Sequence, residues 1–150
     1  MFPRDPVDYL GAGGVGVIQA VSCWRRSDQA EWAEWAEWAV MHYAEWILSL
    51  PIDTKLIILF GSYAKGTFDE DSDIDVLIVA DGLPTGNDAI SLLTVGVPEE
   101  LPAGDFEPHP YSPQALRASL ENDGKAAEAL IEGQVLYIDP DYGKELISAL

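Results

Sequence analysis

Two aspartates with one residue between them, Asp73 and Asp75, close a run that packs five carboxylates into the seven positions from Asp69 to Asp75. The chain then passes directly into the apolar stretch Val76 to Ala80. Residues two apart on a strand project from one face, with backbones roughly 7 Å apart. Carboxylates so placed can bridge and flank two divalent ions about 4 Å from each other. Hard cations take carboxylate oxygen, and Mg2+ in particular is held by a few carboxylates together with substrate phosphates. A bound metal would offset the repulsion that otherwise opposes ending such a run on a buried strand. Asp69, Glu70 and Asp71 are less constrained and are read as solvated.

Upstream, Gly61 and Ser62 follow the apolar run "KLIILF" where a short helical turn is expected. A glycine lets the backbone approach a phosphate, the hydroxyl donates to it, and amides freed at a helix start favour anions. Lys65, the one cation between Lys55 and Arg117, stands where it suits a triphosphate. An acidic turn ahead of a strand is common and would mean little alone. Its coupling to Gly61-Ser62 in a strand–turn–strand context gives the pattern its specificity.

The stretch "LFGSYAKGTFDEDSDIDVLIV" resembles the signature of the DNA polymerase beta-like nucleotidyltransferase superfamily: Gly-Ser, ten residues, then Asp-x-Asp. By size and layout the chain is similar to the minimal nucleotidyltransferases of archaea and bacteria, over roughly residues 41–138, taking in "YSPQAL" and "EGQVLY". The resemblance implies an α/β (α+β) fold, a small mixed sheet flanked by helices. It also implies nucleotidyl transfer, with Asp73, Asp75 and a third carboxylate on the neighbouring strand holding two Mg2+ ions (Mn2+ as a substitute). Glu107, four residues before Tyr111, is the expected third ligand and proton acceptor, with Asp105 as the alternative. Gly61, Ser62 and Lys65 would hold the nucleotide, ATP being favoured. His109 shares a strand face with Glu107; it either reaches the site or is an exposed edge residue between Pro108 and Pro110. The chain has no room for the extra domain that presents the acceptor in larger relatives. The resemblance therefore implies a protein partner, such as a HEPN toxin that receives AMP on a hydroxyl. The alternative is a non-catalytic antitoxin that neutralises a basic helical partner by occlusion.

Around these residues the pattern sets the scaffold. Residues 28–50 read as a long helix, started by Asp28 with Glu31 and stopped by Pro51. At 100° per residue Trp32, Trp35, Ala39, Tyr43, Trp46 and Leu50 share a face; Glu31, Glu34 and Glu37 drift from it and Trp38 lies off it. The "EWA" repeat has period three, so its tryptophans wind around the helix. They form an exposed aromatic tail, a docking surface for a second subunit, or an appendage ahead of a true start at Met41. His42 reads as a helix-surface residue. Strands are expected at "KLIILF", "SDIDVLIVA", "DFEPHPY" and "QVLYI", the third confined by its prolines to a sheet edge. Residues 89–100 read as weak helix or irregular. Ser112 and Pro113 start the next helix, "KAAEALIEG" forms another closed by Gly133, and the tail reads as one more short helix.

With 150 residues the chain fits one domain: a flexible extension over 1–27 and a nucleotidyltransferase domain over 28–150, its catalytic core at 52–140. Eight Lys and Arg against 26 Asp and Glu give a net charge of −18. That balance argues against nucleic-acid binding, whose affinity comes from neutralising phosphates with basic side chains, and favours metal cations or a basic protein surface. Gly11, Gly13 and Gly16 have dinucleotide-binding spacing but no preceding strand, so they read as a linker. Cys23, the lone cysteine, fits a reducing compartment. The absence of a membrane-length apolar run and of a basic leader points to the cytoplasm.

Overall fold

The two central strands are apolar on both sides, and this decides the architecture. In the computed structural model, which describes residues 30–68, 72–122 and 124–149, the order begins with helix α1 (Ala30–Leu48), strand β1 (Asp53–Phe60) and a one-turn helix α2 (Ser62–Lys65). Strand β2 (Ile74–Asp81), helix α3 (Asn87–Leu92) and a 3-10 turn (Ala103–Asp105) lead to strand β3 (Phe106–Tyr111). Helices α4 (Pro113–Ser119) and α5 (Gly124–Glu132), strand β4 (Gln134–Ile138) and helix α6 (Pro140–Ala149) complete it. The sheet runs β3-β2-β1-β4; β1 is antiparallel to β2 and β4, and β2 is parallel to β3. The glycine linker, Cys23, the start of the first helix at Asp28, and Asp69, Glu70 and Asp71 lie outside the described residues.

Alternate residues of β1 and β2 feed two separate cores. Ile57, Leu59, Ile74, Val76 and Ile78 pack with α1 on one face. Leu56, Ile58, Phe60, Leu77 and Val79 pack on the other, with Leu116 of α4, Ala126 and Ala129 of α5 and Tyr142 of α6. Such double burial is what continuous Ile/Leu/Val runs require. β3 takes the sheet edge, where Pro108 and Pro110 cost no ladder bonds. Ser112 caps α4 as expected, its Oγ accepting from the Ala115 amide at 3.0 Å with Pro113 in the first turn. Residues 89–100 resolve into α3, which starts at Asn87, and an irregular stretch after it.

α1 corrects the helical-face expectation. Its buried line is Ala36, Ala39, Val40, Met41, Tyr43, Ala44 and Ile47, with Glu37 also buried. Trp35, Trp38 and Trp46 flank it, partly buried against the same core, instead of forming an exposed tail. A helix laid across a four-stranded sheet covers more than one narrow stripe, so small residues take the centre and large rings its margins. His42 is likewise only half-exposed, its ring 4.9 Å from that of Trp38. Ala36, Ala39 and Val40 precede Met41, so this part of the repeat is integral to the core and not an appendage.

Tyr43 links α1 to the edge strand. Its ring stacks on Phe106 at 4.0 Å, and its hydroxyl donates to the Leu93 carbonyl at 2.8 Å. With Phe106 fixed on the α1 side, strand alternation turns Glu107 to the opposite face. At the far edge, Gly133 joins α5 to β4 where β1 passes closely. A Cβ there would collide with the Ala129 carbonyl oxygen and the Ile58 side chain. Gly133→Ala is expected to lower unfolding stability by about 1–3 kcal/mol, as overpacking does, measured by urea denaturation with an unchanged m-value.

Candidate active site

Strand register assembles the site. Asp75 on β2 lies opposite Glu107 on β3, and Leu77 opposite His109. Asp75, Glu107 and His109 therefore stand on one sheet face, the side covered by α4, α5 and α6. The His109 Nε2 donates to Asp75 Oδ1 at 3.3 Å and lies 4.0 Å from Glu107 Oε1. One ligand atom from each of the three falls within 4.8 Å of the others. Two carboxylates and an imidazole, half-buried together, are a donor set that fits a divalent cation.

Gly61 closes the site from β1. Its φ of 76° and ψ of −153° lie in a region open essentially to glycine alone. A Cβ on Gly61 would stand 2.5 Å from Asp75 Oδ2. The backbone here is thus pressed against the carboxylate, and Ser62 opens α2 directly after it. The turn is anchored from below: Tyr63 stacks on Phe68 at 4.4 Å, and Gln134 Nε2 donates to the Ala64 carbonyl at 2.7 Å.

The expected residues fall into two groups. Gly61, Asp75 and Glu107 converge, and of the two acids expected near the third strand it is Glu107 that lies beside Asp75. Asp105 is exposed in the 3-10 turn before β3. Asp73 is exposed one residue ahead of β2, outside the cluster of Asp75, Glu107 and His109. Lys65 is held by Glu132 at 3.0 Å and Glu128 at 3.2 Å, both on α5. His109 is not the exposed edge residue that its flanking prolines suggest: its side chain is 13% exposed, its ring 5.0 Å from that of Phe60.

Sequence reasoning missed Lys125, in the first turn of α5. It lines a cavity of about 470 Å³ beside Glu107, His109 and Tyr111, and its charge acts on both Asp75 and Glu107. Nothing local in "DGKAAEAL" marks it; only the packing of α5 over the sheet brings it there.

The carboxyls respond to this arrangement in opposite directions. Burial pushes Asp75 upward, but hydrogen bonds from His109 and Glu107, with the charges of His109 and Lys125, outweigh it and leave Asp75 below its usual range. Glu107 is raised, first by its hydrogen bond with Asp75 and then by burial and that neighbour's charge. Glu107 thus binds its proton more tightly folded than unfolded. Its contribution to stability is complete below the ordinary glutamate value and is lost as pH rises through the raised one. The contribution of Asp75 is present above the ordinary aspartate value and is lost as pH falls through the depressed one.

Two expectations follow from this geometry. In the metal-free protein at neutral pH, Glu107→Gln removes a charge that no longer stabilises, so the thermal midpoint should equal or exceed that of the wild type; a drop would contradict the assigned sign. Gly61→Ala should cost about 1–3 kcal/mol from its backbone conformation alone. By displacing Asp75 it should also weaken divalent-ion binding, which calorimetry measures directly.

A family model for the nucleotidyltransferase domain matches residues 33–109, which include Gly61, Ser62, Asp73, Asp75, Glu107 and His109. Two curated proteins of Methanocaldococcus jannaschii share short, closely similar stretches. A candidate protein adenylyltransferase, MJ0141, is 62% identical over 29 residues, 19% of this chain and 29% of that protein. A second, MJ0604, is 70% identical over 27 residues, 18% of this chain and 27% of that protein. The matched stretches thus span under a third of either relative. Among solved structures, that of a toxin-antitoxin with AMP-PNP aligns with a TM-score of 0.46 at 19% identity, over 69% of this chain and 76% of that one. With its family model matched across half its length, through the turn and both carboxylate strands, this chain belongs to the nucleotidyltransferase domain family.

Proposed function

We propose that the protein moves a nucleoside monophosphate, AMP from ATP, onto a hydroxyl of a partner protein. The observation that carries this reading is the meeting of Asp75 and Glu107 across one parallel register step, with the Cβ-less backbone of Gly61 against Asp75. The short similarity to candidate protein adenylyltransferases supports protein as the acceptor. A HEPN-type toxin is the partner class that the resemblance to minimal nucleotidyltransferases suggests.

Asp75 and Glu107, with the exposed Asp73 two residues ahead of Asp75, would hold the divalent ions, Mg2+ or Mn2+. A cation bound there supplies a Lewis acid for phosphoryl oxygens and lowers the pKa of a bound hydroxyl. Ser62 and the backbone at Gly61 would hold the phosphates at a turn where no side chain intervenes. Lys125 is placed to offset the charge of departing pyrophosphate. Lys65 can serve there only by leaving Glu128 and Glu132. The acceptor oxygen bonds to the α-phosphorus as the bond to the bridging oxygen of the β-phosphate breaks. Glu107, beside the point where the acceptor would sit, is the group placed to take the hydroxyl proton. The wall of Ile90, Phe106 and Tyr111 beside this point offers apolar surface for the base or the acceptor side chain.

The test is to incubate the protein with a candidate HEPN partner, ATP and Mg2+ and weigh the partner by mass spectrometry. The wild type should add an AMP-sized increment. Glu107→Ala should slow the addition by about 10²–10⁴, the range for losing a general base, and Asp73→Ala should also impair it. A wild type and an Asp73→Ala variant that protect equally against the toxin, with no mass added, would favour neutralisation by occlusion instead.

A further inference from the structure

We propose that His109 is itself a metal ligand, and that the site therefore takes a first-row transition ion, Mn2+ ahead of Mg2+. This inference rests on the nucleotidyltransferase reading of the carboxylate pair but goes beyond it, since it concerns a nitrogen donor.

Geometry comes first. Ligands bonded to one ion at 2.0–2.2 Å sit about 3 Å apart when adjacent. The His109 Nε2 is already 3.3 Å from one carboxylate oxygen and 4.0 Å from the other. With one donor atom of each residue already within 4.8 Å of the others, modest side-chain adjustment would bring all three into one coordination sphere.

The ring is also held. Register with Leu77 places His109 on the row of Asp75 and Glu107. Phe60 packs on it at 5.0 Å with the planes tilted by 59°. Pro108 and Pro110 on either side fix two of the local backbone dihedrals. An edge histidine with a merely structural role would have no need to aim Nε2 between two acids.

Chemistry then selects the ion. Mg2+ dehydrates reluctantly and prefers oxygen, whereas imidazole suits the later first-row ions, and Mn2+ accepts both donor types. In the metal-free protein the Nε2 proton is donated to Asp75. Ligation requires the neutral tautomer with its proton on Nδ1, the ring otherwise staying where it is.

Pulsed electron paramagnetic resonance on the full-length chain loaded with Mn2+ reads this directly. The wild type should show nitrogen modulation of the bound ion, and histidine-specific 15N labelling should change its frequency. The chain has two histidines; the coupling should survive His42→Gln and vanish in His109→Asn. By calorimetry His109→Asn should lose about tenfold or more in Mn2+ affinity, in the range for disturbing a metal's surroundings, with a much smaller change for Mg2+. Should His109→Asn fail to fold, the labelled wild type together with His42→Gln still decides the matter. Bound Mn2+ without nitrogen coupling in the wild type overturns the proposal and leaves the carboxylate site standing. No binding of either ion overturns both.

Discussion

Two carboxylates facing one another across a single step of a parallel strand pair are the constraint on which the site depends. Asp75 and Glu107 would separate if they were free to do so. Their backbones are not free, because the register of β2 and β3 is set by apolar rows on both faces. Slipping that register by one residue would turn Val76 and Ile78 out of one core and Leu77 and Val79 out of the other. The burial of those rows fixes the two charges together. The local response is visible in the carboxyls themselves, one pushed down and the other up. A pair strained in this manner has a standing affinity for anything positive: the His109 Nε2–H, the Lys125 charge, or a metal.

Each neighbour of the pair is positioned from a different part of the chain. Tyr43 on α1 stacks on Phe106 and so fixes the face that Glu107 presents. Gly61 at the end of β1 removes the side chain that would strike Asp75. Gln134 on β4 holds the carbonyl of Ala64 and steadies the turn from the opposite edge of the sheet. The cluster is therefore the meeting point of all four strands, although only two of them carry its carboxylates and imidazole.

The chemically dense part of this arrangement was legible in the sequence because its signals are local. A glycine and serine at a strand end, a fixed interval, and an acid entering an apolar run all lie within a stretch of fifteen residues, 61–75, although Asp73, the other acid of the pair, stays exposed outside the cluster. The proline-limited edge strand and the Ser112 cap were equally local. What could not be read depends on packing between distant segments. Lys125 is unremarkable until α5 is laid over the sheet. Lys65 seemed placed for a phosphate until α5 brought Glu128 and Glu132 to it. The prolines around His109 suggested exposure, yet Phe60 from β1 covers its ring. On α1, helical periodicity predicts a single stripe, and the width of the sheet beneath it replaced that stripe with a broad belt that takes in Glu37.

The charge of the whole chain sharpens the role of the site. A protein at −18 repels a nucleoside triphosphate over the range set by ionic screening, about 8 Å in physiological salt. Recognition must then come from close contacts able to overcome that field. Of the described cations, Lys55 is paired with Asp53 and Lys65 with Glu128 and Glu132, while Arg117 and Lys144 line a separate cavity with Glu145. Lys125 acts at the carboxylate pair, and one lysine does not balance a triphosphate facing two carboxylates. On the proposed function, the remaining positive charge would arrive with the nucleotide or in the cluster, as a divalent ion. The acidity that deters phosphates elsewhere on the surface would, on the same reading, favour nucleotide binding at the cluster of Asp75, Glu107 and His109, whose donors fit such an ion.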